Sequence, residues 1–298
     1  MSMILAKCWA AVKARLTGGL APRAVAVLAA AVLSAAGGAW AAPNGLPPGR
    51  ILFRTYGPEQ GLGNLAVEAM TQDSTGFLWV ATQDGLYRFD GKRFIRFGIG
   101  DGLPNPLITS LLADGELWVG TFSGLAWARG GHFVVVPASA MPRTRVNGLA
   151  MDAAGNLWVA RPQGLSVRDP AGIFRPAPGW PAEEATAVTA NAASKTVYAA
   201  FGTRIGRADG AGAWRFWDSG FDAGERIDAL TVDGTGRLWA ASVHQLSSMG
   251  PADEGFRDEC TRVPEVCSAP DQTILTLDRS GHLWVAADSA LYHREGER

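Results

Sequence analysis

Apolar residues in this chain come in short runs that alternate with polar ones and end at glycine-bearing turns, as in Leu78-Trp79-Val80-Ala81-Thr82 and Leu86-Tyr87-Arg88-Phe89. Short runs with a period near two predict β-strands. After residue 42 there is no 3.6-residue apolar stripe of the kind an amphipathic helix needs. One run is different: Ala24 to Ala36 is almost entirely apolar, follows Lys7, Lys13, Arg15 and Arg23, and precedes the first acid, Glu59. Ala39-Trp40-Ala41 then places small residues at positions −3 and −1 of a cleavage point. A basic stretch, 13 largely apolar residues and an A-x-A end predict a secretory signal peptide over residues 1–41. Thirteen residues fall short of the ~20 of a membrane span, although an uncleaved anchor is the alternative. Residues 42–49 read as a linker, and 50–298 as one domain.

Within that domain the pattern repeats. Asp-x-x-Gly-x-Leu-Trp occurs at Asp73 to Trp79, Asp152 to Trp158, Asp233 to Trp239 and Asp278 to Trp284. A shortened copy runs from Asp114 to Trp118, and a degenerate one, Ser194 to Tyr198, carries Tyr198 in the Trp place. The anchors Trp79, Trp118, Trp158, Tyr198, Trp239 and Trp284 are 39, 40, 40, 41 and 45 residues apart. Each unit holds strand-like pieces separated by turns, the first being Asp-x-x-Gly, in which Asp supplies an acceptor and Gly tolerates positive φ. About four short strands per ~40 residues is the period of a propeller blade. The expected fold is therefore all-β: a β-propeller of about six four-stranded blades, its repeated Trp filling the space between neighbouring blade sheets. Phe53 to Asn64 aligns with Phe94 to Asn105, so the chain begins on what looks like a fourth strand and stops after a third. Either that first strand completes the sixth blade, or the chain is part of a longer array; truncation is the favoured reading.

Charge and cysteine refine this picture. Lys+Arg 27 against Asp+Glu 28 removes the electrostatic case for nucleic-acid binding. Without the signal, 23 basic and 28 acidic residues leave a charge of −5. Cys8 leaves with the signal; Cys260 and Cys267 flank a loop-like segment and are expected to form a disulfide in an oxidising compartment. No cofactor or metal is expected. One Asp per turn, ~40 residues apart, does not build a calcium cage, and His132, His244, His282 and His293 show no metal-binding spacing.

Gly102-Leu103-Pro104-Asn105, Leu117-Trp118-Val119-Gly120-Thr121 and Gly124-Leu125 resemble the two-component regulator propeller repeat, as does the stretch from Gly61-Leu62 to Asp90. The resemblance covers residues ~52 to 292. It implies the exported sensor region of a bacterial receptor whose output is a histidine kinase or a diguanylate cyclase; no such output signature occurs in this chain. The signal peptide predicts export to the periplasm, and the resemblance implies signalling as a homodimer.

No nucleophile elbow or other catalytic motif is found. A ligand is expected on the face carrying the loops from second to third strand and from fourth strand to the next blade. The candidates there are Gln83, Asp84, Phe122, Ser123, Gln163, His244 and Asp288, with Asn64 and Asn105. The ligand would be a small molecule, a glycan or a protein partner. A propeller enzyme is the alternative, because the repeats also resemble streptogramin lyase; it requires His244 and an acid together at the channel mouth. A nonfunctional receptor fragment is a third reading.

Overall fold

The computed structural model describes residues 54–294, apart from 192, 209–212, 269–272, 279, 288 and 289. It is a six-bladed β-propeller. Five sheets have four antiparallel strands in sequential order, and the sixth has three among the described residues. Blade 1 consists of Val67–Gln72, Leu78–Thr82, Leu86–Phe89 and Phe94–Phe97, running from the channel outward. The inner strands of the other blades are Ile108–Asp114, Gly148–Met151, Ala187–Asn191, Ala229–Val232 and Ile274–Leu277. The expected signal peptide and linker lie outside the described residues. Residues 54–57 form no strand; Tyr56 instead packs edge-on against Phe89 of blade 1, with ring centroids 5.0 Å apart.

The repeated turn has a defined chemistry. Asp73 accepts the amides of Thr75 and Phe77 through Oδ1, and the Trp79 indole N–H through Oδ2 at 2.7 Å. Asp152 and Asp233 hold Trp158 and Trp239 in the same way, at 2.8 Å in both. One carboxylate therefore closes the hairpin and orients the ring that follows. The indoles do pack between blades: Trp79 joins Leu103, Ile108 and Phe133 of the second unit, and Trp239 joins Leu283 and Val285 of the sixth. Arginine reinforces two of these seams. Arg168 lies over Trp118 at 5.1 Å, and Arg294 lies over Trp239 at 4.9 Å while its Nη1 reaches Asp233 Oδ2 at 3.2 Å.

The alignment of the two Gly-Leu connectors also has a structural basis. Gly61 and Gly102 both follow a one-turn 3-10 helix, with φ of +91° and +98°. A Cβ on Gly102 would sit 2.0 Å from the Phe133 carbonyl oxygen, so glycine is required on two grounds. Cys260 and Cys267 form the expected disulfide. The segment between them is not all loop: Pro264–Cys267 makes a short helix that opens on proline.

Candidate functional site

The inner strands all begin at the same face. In blades 1 and 2 the ladder shifts register between Val67 and Ala69 and between Ile108 and Ser110. Such a bulge leaves one residue out of the pairing and re-aims its side chain, and the residues concerned are Glu68 and Thr109. Both line a cavity of about 430 Å³ at the channel mouth, together with Asn147, Thr186, Asp228 and Thr273. These six share one place in the repeat, five residues before Asp73, Asp114, Asp152, Asn191, Asp233 and Asp278. Every blade thus contributes one polar side chain to a ring.

Around the ring stand Gln83 and Phe122 from turns between second and third strands, with Arg145 and Arg226 from connections between blades. Phe122 is 52 % exposed, one of the few large apolar side chains presented to solvent. Arg226 is tied down by Asp228 at 2.8 Å and Glu184 at 3.1 Å. Arg145 is exposed and forms no ion pair among the described residues. Asn147 donates its amide to Glu184 Oε1 at 3.0 Å and to the Ala185 carbonyl at 2.8 Å, which fixes its orientation. Its Oδ1 has no hydrogen-bond partner among the described residues. Gln83 donates to Glu68 Oε1 at 3.1 Å. A guanidinium, an aromatic face, amides and the carboxylates of Glu68 and Asp228 therefore line one cavity, a lining suited to a polar ligand.

Of the residues singled out in the sequence, Gln83 and Phe122 line this cavity. Asn64 and Asn105 accept the amides of Ala66 and Leu107, closing local turns, and Asn105 also donates to Ser123 Oγ at 3.0 Å. Asp84 is engaged within blade 1, accepting from Thr82 at 2.7 Å and from the Tyr87 hydroxyl. Burial and the neighbouring Asp84 carboxylate push the Tyr87 hydroxyl up from its usual range. Gln163 is exposed and lies outside the lining. Asp288 lies outside the described residues. His244 Nδ1 is 3.1 Å from Glu225 Oε1, so the histidine does have a carboxylate beside it. The Ser242 hydroxyl and then His244 hold that carboxyl below its ordinary value, against the effect of burial. Neither His244 nor Glu225 lines the cavity.

Glu68, Thr109, Asn147, Thr186, Asp228 and Thr273 were not among those candidates. The motif marks the turn and second strand, whereas the ring belongs to the start of the inner strand. The constant offset of five residues before the turn acid is the signal that finds them.

A comparison with protein families finds none that matches this chain, and no curated protein matches it. Solved structures do. The extracellular domain of BT3049, assigned to a hybrid two component system of B. thetaiotaomicron, superposes with TM-score 0.64 at 21 % identity, over 78 % of this chain and 34 % of that one. The corresponding domain of BT4673 gives 0.60 at 18 %, over 78 % and 32 %. Virginiamycin B lyase from Staphylococcus aureus gives 0.60 at 14 %, over 76 % and 78 %. The chain spans about a third of the length of the two receptor domains. At these identities the likeness establishes the propeller fold, and two of these three neighbours are extracellular domains of the receptor class that the sequence repeat resembles.

Proposed function

We propose that this chain is an exported, non-enzymatic sensing propeller of a two-component or diguanylate cyclase receptor, placed in the periplasm by its N-terminal signal. In this reading it binds a small polar ligand or glycan at the channel mouth. The observation that carries the reading is the ring: six blades each place a polar side chain, at one repeat position, around a cavity that also holds Arg145 and Phe122. A carboxylate, sulfate or phosphate on the ligand would face Arg145, and a sugar or aromatic ring would stack on Phe122. The receptor domains of similar fold support sensing over catalysis.

The test is a thermal-shift screen of the full chain against neutral oligosaccharides, uronic-acid oligosaccharides and small carboxylates and phosphates. An anionic compound is expected to raise Tm by several degrees, and Arg145→Ala should remove the shift. A folded protein that responds to none of these classes would defeat the small-molecule reading and point to a protein partner at the same face.

The enzyme alternative keeps its residue pair, because His244 and Glu225 are in contact. That pair stands apart from the cavity lining, so the geometry favours a surface hydrogen bond over a catalytic dyad.

A further inference from the structure

The sixth blade carries a side-chain cluster that the repeat does not require. Its turn acid, Asp278, accepts the amides of Ser280 and His282 through Oδ1, as its counterparts do in the other blades. Its Oδ2 differs. The Trp284 indole reaches it only at 3.3 Å, against 2.7 Å for Trp79 and 2.8 Å for Trp158 and Trp239. His282 Nδ1 approaches the same oxygen at 3.3 Å. A second imidazole completes the group: His293 faces Trp284 across the second and third strands and packs on it, with ring centroids 4.3 Å apart. One donor atom from each of Asp278, His282 and His293 can be chosen so that all three lie within 4.8 Å of one another.

Neither histidine is dictated by the fold. The His282 position is Phe77, Asn156 or Arg237 in the other complete repeats. The strand position opposite the indole is Arg88, Trp127, Val167 or Ser248 in blades 1, 2, 3 and 5. Blade 6 alone has imidazoles at both, and they converge on the one turn carboxylate whose bond to its indole is long. The His282 side chain is 55 % accessible, so its imidazole can turn toward the other two donors without moving a strand.

We propose that Asp278, His282 and His293 form a site for a borderline transition-metal ion, with zinc(II) as the reference ligand. Two imidazoles and one carboxylate suit Zn²⁺, Ni²⁺ or Cu²⁺ and are a poor match for Ca²⁺ or Mg²⁺, which call for more oxygen ligands. The fourth position is open to water or to a donor from a ligand. A bound ion would tie the hairpin turn to the third strand of the last blade, at the opposite end of the strands from the channel mouth.

Asn156 shows how to test this without damaging the turn. It donates to Asp152 Oδ2 at 2.9 Å from the place that His282 takes in blade 6, so His282→Asn keeps the turn bond and removes the ligand. The full chain, prepared without a histidine tag and stripped with chelator, is titrated with zinc(II) against a competing chelating dye, and its Tm is followed. One equivalent is expected to bind, with a Tm rise of about 5 °C at ~100-fold excess over Kd. His282→Asn should weaken zinc at least ~10-fold with an unchanged metal-free Tm. His293→Gln should weaken zinc likewise, and His132→Ala should change nothing. With cobalt(II) as a second probe, visible d–d bands should appear in the parent chain and be lost in His282→Asn. Failure to bind zinc at about 100 µM, or equal binding by His282→Asn and the parent chain, would overturn the proposal. If His293→Gln does not fold, His282→Asn alone decides the result.

Discussion

The turn aspartate is the residue on which each hairpin depends. In Asp73, Asp152 and Asp233, burial pushes the carboxyl pKa up, but hydrogen bonds from side chains and amides outweigh it and hold the group below its ordinary value. A carboxylate depressed in the folded state adds stability that is complete above its unfolded pKa of ~3.9 and is lost as pH falls through the folded value. Stability to urea should therefore fall steeply from about pH 4 downward, which a pH series of urea midpoints measures. Asp233 is 6 % exposed and also meets Arg294. Asp233→Ala leaves the Trp239 N–H and a guanidinium without their acceptor, and should cost about 2–3 kcal/mol in the same assay. Arg161 presents the opposite case. It is 7 % exposed, its Nη2 donates to Ser166 at 2.7 Å, and its Nε and Nη1 have no partner among the described residues. Replacing such a group with an apolar residue of similar length removes a desolvation cost. Arg161→Met is expected to leave stability unchanged or raise it by about 1 kcal/mol; a comparable loss would mean that the guanidinium is satisfied by water or an anion.

At the scale of the element, the second strands and the turns before them were legible because one motif, Asp-x-x-Gly-x-Leu-Trp, encodes both. The inner strands were not, since their first residues carry no motif and are displaced by bulges at Glu68 and Thr109. Blade 4 was legible only from its spacing and Tyr198, because its turn departs from the motif: Asn191 accepts the amides of Ala193 and Ser194 in place of Asp, and Lys195 takes a φ of +53° near the place of the missing Gly. The helix Pro264–Cys267 was missed because four residues are too few to show a period. Among the connectors, Gly102→Ala should destabilise by more than about 2 kcal/mol, from positive φ and a clash with backbone that cannot move aside. Gly100→Ala, in open space two residues earlier, is the control and should be near neutral.

Over the whole molecule, the six-fold repeat does two separate things. The Trp and apolar positions build the seams between blades, and the position five residues before the turn acid builds the ring at the channel mouth. The anchor position varies little among the blades, with Tyr198 in place of Trp in blade 4, while the ring position carries Glu, Thr, Asn or Asp. Two of the residues singled out in the sequence, Gln83 and Phe122, line the cavity, because turns are easy to locate. The sequence did not show which side chains point inward, since that follows from strand register and bulges. The most direct test is isothermal titration of the full chain and its Phe122→Ala/Arg145→Ala variant with the best compound from the thermal-shift screen. The expected result is one binding site per chain in the parent and at least ~100-fold weaker binding in the variant, with Tm unchanged, because exposed side chains contribute little to stability. Equal affinity in the two proteins would contradict a ligand site at the channel mouth.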